Sequence, residues 1–94
     1  MAKFIVRVEL HSANSADYDK LHKEMQSNGF TDEIVSNDNR VFKMPPGEYT
    51  GHKNLTTDEV RDLVNNIAGR IVNGRAVLVS ESIGSSWIGL EQIR

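Results

Sequence analysis

The sequence contains no cysteine, which excludes disulfides, thiolate zinc sites and cysteine nucleophiles. No apolar run approaches the ~18–20 residues that span a bilayer, so no membrane helix and no membrane partner are expected. Charge of one sign is also missing. Eleven Lys+Arg stand against thirteen Asp+Glu, a net charge of −2, which argues against a strongly electrostatic DNA binder. Apolar residues make up only 38%, below the usual ~45–50%. Charged residues at 26% sit near the ~25% average, so the composition does not point to disorder. The opening Met1-Ala2-Lys3-Phe4 lacks the apolar stretch of a secretory signal, and a soluble cytoplasmic location is the expectation. What remains is a chain of 94 residues, long enough for one domain over 1–94 that buries roughly 60–68% of its unfolded surface.

Periodicity then orders the elements. Phe4, Val6, Val8 and Leu10 alternate with Ile5, Arg7 and Glu9, the pattern of a central strand in a sheet whose second face meets water. Asn14 or Ser15 can cap a first helix over about 15–28, in which Tyr18, Leu21 and Met25 form one stripe. Asn28-Gly29-Phe30 ends it, because Gly29 takes a left-handed conformation without steric cost and Phe30 can fold back onto Met25. Thr31–Ser36 and Arg40–Met44 flank Asn37-Asp38-Asn39 and predict a hairpin, stopped by Pro45-Pro46-Gly47. Glu48-Tyr49-Thr50 resumes extended structure before a loop at Gly51–Asn54.

The second helix carries the strongest local signal. Thr56 and Glu59 have capping-box spacing, and Leu55 and Val60 sit where a hydrophobic staple closes. Val60, Leu63, Val64, Ile67 and Ile71 line one face, and Asn73-Gly74 is the expected end. Ala76–Val79 reads as a strand, and Trp87–Leu90 as a small extra strand. No internal repeat or low-complexity tract interrupts this order. Strand, helix, strand, strand, helix, strand predicts an α+β fold of ferredoxin-like β-α-β-β-α-β order, with a four-stranded antiparallel sheet and both helices on one face. This architecture hosts many activities, so function must come from a site.

Candidate chemistry is sparse. His11, His22 and His52 are the side chains that titrate near neutrality unperturbed, and none has a zinc-binding spacing. No metal and no cofactor are expected. His22 borders the buried stripe of the first helix; most histidines so placed only pack, and the functional alternative is acid–base work. Asp58 and Glu59 are explained by the positive end of the second helix. The RNA-recognition module of this topology needs stacking aromatics and a [KR]-G-[FY]-[GA]-F-V-x-[FY] strand. Residues Asn39–Met44 lack that pattern, and the solvent side of the first strand carries no aromatic. Tyr49 and Trp87, each beside a glycine-containing turn, are candidates either to close core edges or to anchor a partner or a base.

The ordered set Tyr18-x-x-Leu21-His22-x-x-Met25-x-x-x-Gly29-Phe30, followed by Glu48-Tyr49, Leu55-Thr56 and Val77-Leu78-Val79, resembles the small bacterial and prophage proteins grouped with the GhoS-type antitoxin endoribonucleases of type V toxin–antitoxin pairs. The similarity covers residues 3 to about 83. It implies a ferredoxin-like domain, also similar to the small CRISPR-associated nuclease fold, and metal-independent cleavage of RNA. The family's functional arginine on the first helix falls at His22, and its functional phenylalanine on the later strand falls near Tyr49. The CRISPR-associated nucleases carry an aspartate at the end of the first strand, where this chain has Leu10-His11; a metal-dependent nuclease of that type is therefore disfavoured.

Two readings follow. In the first, an antitoxin-like protein acts on RNA, with His22 moving a proton, Tyr49 stacking on a base, and Arg40 or Lys43 offsetting phosphate charge. In the second, a non-enzymatic, prophage-derived module binds another protein through its sheet face or edge strand, or pairs with itself as a homodimer.

Overall fold

The computed structural model describes all 94 residues. Along the chain run β1 (Ala2–Leu10), α1 (Ser15–Ser27), β2 (Phe30–Thr31), β3 (Glu33–Val35), β4 (Val41–Lys43), β5 (Glu48–Lys53), α2 (Thr57–Gly69) and β6 (Arg75–Ser82). The alternation read in the first strand is realised in β1: Phe4, Val6, Val8 and Leu10 are buried while Arg7 and Glu9 are exposed. β1 is central, pairing antiparallel with β5 on one flank (Val6 opposite Tyr49) and with β6 on the other (Val6 opposite Val79). β2 completes the sheet in the order β2-β5-β1-β6. This is the ferredoxin-like order.

Both helices cover the same face. Leu21 and Met25 of α1 and Val60, Val64 and Ile67 of α2 join Phe4, Val6 and Val8 in one apolar cluster. Each such side chain taken wholly out of water contributes about 1.5–3 kcal/mol before chain entropy is counted. Local chemistry fixes where the helices start. Asn14 accepts from the Asp17 amide at 2.9 Å while Asp17 accepts from the Asn14 amide at 3.2 Å, and Thr56 and Glu59 form the same reciprocal box at 3.1 and 2.9 Å. Each satisfies amides that have no partner within the helix. Tyr18 Oη accepts from the Leu10 amide at 3.0 Å, pinning α1 to the end of β1.

Three expectations are corrected. The hairpin supplies β3 and β4, but these form a separate two-stranded sheet rather than two strands of the main one. The main sheet takes instead the two-residue β2 and the whole of β5, including Gly51, His52 and Lys53, which had read as loop. Gly51 belongs there because a Cβ would lie 2.6 Å from the Phe30 ring; the ring of the neighbouring strand occupies the space a side chain would fill. Second, α2 ends at Gly69 with Arg70 as its cap, four residues before Asn73. The chain must already be turning there, since the His11 amide donates to the Gly74 carbonyl at 2.8 Å to continue the β1–β6 ladder. Third, Trp87–Leu90 is not a strand. Pairing comes a few residues later, where the Val41 amide donates to the Arg94 carbonyl at 2.6 Å and the Ile93 amide to the Val41 carbonyl at 2.7 Å, beside an isolated bridge between Phe42 and Gln92.

The hairpin lies over the sheet face that the helices leave open. Thr50 Oγ1 donates to the Glu33 carbonyl at 2.7 Å, and the Met44 amide donates to the Asp32 carbonyl at 2.7 Å. Ile34 and Met44 are buried outside the helix-side cluster. No helix is long and apolar enough to cross a membrane.

Candidate nucleic-acid interface and the histidine–tyrosine pair

The structure brings His22 and Tyr49 together. Tyr49 on β5 faces the helices, because its register partner Val6 does, and its hydroxyl meets His22 Nδ1 on α1. The two rings are 5.6 Å apart at their centroids and tilted by 57°. Burial pushes the Tyr49 phenol above its ordinary value near 10, and the charges of Asp32 and Tyr18 push the same way. The phenol therefore keeps its proton at neutral pH. Its oxygen and His22 Nδ1 share one hydrogen, in a direction set by the protonation of the ring. The bond occupies Nδ1 and leaves Nε2 of the half-buried ring to meet an approaching group. Continuing the β2–β5 register by one residue places Asp32 beside Tyr49, so the pair has a carboxylate neighbour.

One role expected of Tyr49 is corrected. At 1% exposure its ring has no free face on which a base could stack. The tyrosine positions His22 instead.

Arg40 and Lys43 part company. Arg40 closes the hairpin turn at the rim of a groove of about 600 Å³ that runs between the hairpin and the segment after β6, with Lys3, Phe42, Ser82, Ser85 and Trp87 among its lining residues. Lys3 and Ser82 are register partners on the open face of the sheet, so this groove and His22 lie on opposite sides of the β-layer. Trp87 meets Phe42 edge-on, with centroids 5.4 Å apart at 67°, and the Arg40 guanidinium sits 5.6 Å from the Phe42 centroid. Arg40 Nε also pairs with Asp38 at 2.8 Å. Hydrogen bonds from Ser36 and then Arg40 hold the Asp38 carboxyl below its usual range. Lys43 is exposed and follows Phe42 by one residue, which turns its side chain to the other face of the hairpin, away from the groove.

Phe42, Trp87 and Lys3 were not combined by sequence reasoning. The distances between them along the chain carry no periodic signal, and only the sheet register and the returning C-terminal segment join them. No three histidine or carboxylate groups gather in a way that could hold a metal ion. A scan against protein-family models finds no match for this chain, and a search of curated proteins finds no relative.

Proposed function

We propose that this domain acts on single-stranded RNA, as its resemblance to the GhoS-type antitoxins implies, and that the groove between the hairpin and the C-terminal segment is its contact surface. The observation that carries this reading is the combination of Phe42, Trp87 and Arg40. Two half-buried rings keep part of each face available to bases, and a guanidinium on the same patch offsets phosphate charge. The arrangement needs no consensus strand motif, because aromatic stacking tolerates any base.

Fluorescence anisotropy with a labelled uridine-rich octamer tests it. Trp87→Ala should lower affinity by roughly five-fold or more, from a stacking contribution of ~1–3 kcal/mol per base. The logarithm of affinity should fall with that of salt at a slope near −1.4 if Arg40 and Lys3 each neutralise one phosphate, at about 0.7 per contact. Affinity unchanged in Trp87→Ala would remove this surface from the account.

The hydrogen bond between Tyr49 and His22 favours a second reading, metal-independent cleavage of RNA bound on the helix side of the sheet rather than in the groove. In the imidazolium form, with Nδ1–H donating to the Tyr49 oxygen, the Nε2 proton can pass to the 5′-oxygen that leaves as the 2′-oxygen bonds to phosphorus and gives its own proton to water. The ring is left as neutral imidazole, which is the general-acid half of such a reaction. His22→Ala should abolish any cleavage seen in the presence of chelator and leave groove affinity unchanged. Cleavage at the wild-type rate in His22→Ala would exclude His22 from the chemistry.

A further inference from the structure

We propose that two copies of this chain associate through antiparallel pairing of their β6 strands about a two-fold axis at Leu78. The proposal is independent of the RNA reading and begins with an unpaired edge. β6 is the long edge of the sheet, eight residues (Arg75–Ser82) with no proline or lysine and an uninterrupted register against β1. It lacks the proline, lysine and bulge that often protect such an edge, its two charges, Arg75 and Glu81, lie towards its ends, and Leu78 is 64% exposed on it.

The hydrogen-bond phase of the sheet shows which groups are free. The His11 amide donates to Gly74 across the β1–β6 ladder, while the Val8 amide donates across the other flank to Gly47. Even-numbered residues of β6 therefore turn their main-chain groups inward to β1. The amides and carbonyls of Arg75, Val77, Val79 and Glu81 point outward, and no hydrogen bond from elsewhere in the chain reaches them.

A second copy satisfies these groups in one register. Residues opposite one another must share a sheet face. With the axis at Leu78, Val77 opposes Val79 of the second copy and Arg75 opposes Glu81, each as a hydrogen-bonded pair. The two Leu78 residues form the central non-hydrogen-bonded pair, in which side chains approach most closely. Moving the axis to Val77 or Val79 keeps the faces matched but separates Arg75 from Glu81. Arg75 has Nε on Asn65 and Nη1 on the Asn73 carbonyl; its Nη2, seated against Gly69 of α2, has no hydrogen-bond partner, and Glu81 is exposed without a partner in its own chain. The strand is thus self-complementary in hydrogen bonds, apolar surface and charge.

Sedimentation of the full chain across a concentration series, combined with cysteine cross-linking, tests the pairing. The wild type should show a monomer–dimer equilibrium. Val79→Pro removes an outward amide that makes no bond within the chain, as an edge strand tolerates, and should give a folded monomer. Glu81→Arg should weaken dimerisation about ten-fold by placing like charges opposite each other twice, and Arg75→Glu added to it should restore the affinity. In a chain without native cysteine, Leu78→Cys should oxidise to a disulfide dimer, because opposed Cα atoms in such a pair lie about 4.5 Å apart. Ser80→Cys should not. A wild type that stays monomeric at the highest concentration overturns the proposal. So does cross-linking that is equal at positions 78 and 80, or an unchanged dimer in Glu81→Arg.

Discussion

The two faces of the sheet are built differently. On the helix side Phe4, Leu21, Val60 and Val64 are fully buried in one continuous cluster, and capping boxes fix both helices that cover it. On the other side lie a hairpin with three-residue strands and an irregular segment, joined by main-chain hydrogen bonds and an exposed ion pair between Arg94 and Glu33 at 2.8 Å. Twelve buried residues form the cluster on the first side, against Ile34 and Met44 on the second. The second is left with half-buried aromatics and polar groups that a ligand can engage.

The largest expected effect comes from the helix side. Phe4→Ala should cost about 3–5 kcal/mol in urea denaturation, whereas Trp87→Ala should cost no more than about 1 kcal/mol while weakening RNA binding. Equal losses would erase the distinction between the faces.

That difference also explains what could be read in advance. β1, the Asn14 and Thr56 caps and the stripe from Val60 to Ile67 on α2 are local patterns, and each appears where the sequence places it; Ile71, read as the last of that stripe, lies beyond the helix. The hairpin strands were also locally legible, but their partner was not. Extended residues 33–35 and 41–43 pair with each other in either a main or a side sheet, and only tertiary packing decides which. β5 was hidden because Gly51 and His52 are poor strand formers in isolation, and the reason for Gly51 is a Phe30 ring from a neighbouring strand. For the site, His22 and Tyr49 each stood out in the sequence, but the burial of Tyr49 against His22 did not. It depends on a β1–β5 register that sequence spacing does not reveal.

Where the two faces are joined, Gly47→Ala should cost about 1–3 kcal/mol. Gly47 has a φ of +79°, and a Cβ there would lie 2.6 Å from the Val8 carbonyl oxygen. Thermal denaturation measures this loss, and a neutral result would mean that the connection into β5 is more pliable than its geometry.

Tyr49→Phe should cost less, about 0.5–1.5 kcal/mol for one hydrogen bond, and it has a signature in pH. Folding raises the Tyr49 pKa above its unfolded value near 10, so the folded state holds that proton more firmly. Its contribution is intact below about pH 9–10 and is lost as pH climbs beyond that range. Denaturation between pH 8 and 11 should show a decline that is shallower in Tyr49→Phe; parallel curves would contradict the burial assigned to the phenol. Smallest of all, Arg94→Ala should change stability by less than about 1 kcal/mol, and salt should screen even that.

The most direct test of the proposed RNA recognition by the face opposite the helices is chemical-shift mapping by 1H–15N NMR during titration with the uridine-rich octamer. The resonances of Arg40, Phe42, Ser85 and the Trp87 indole should move while those of α1, His22 included, stay in place. Shifts centred on α1, or none at saturating RNA, would contradict it.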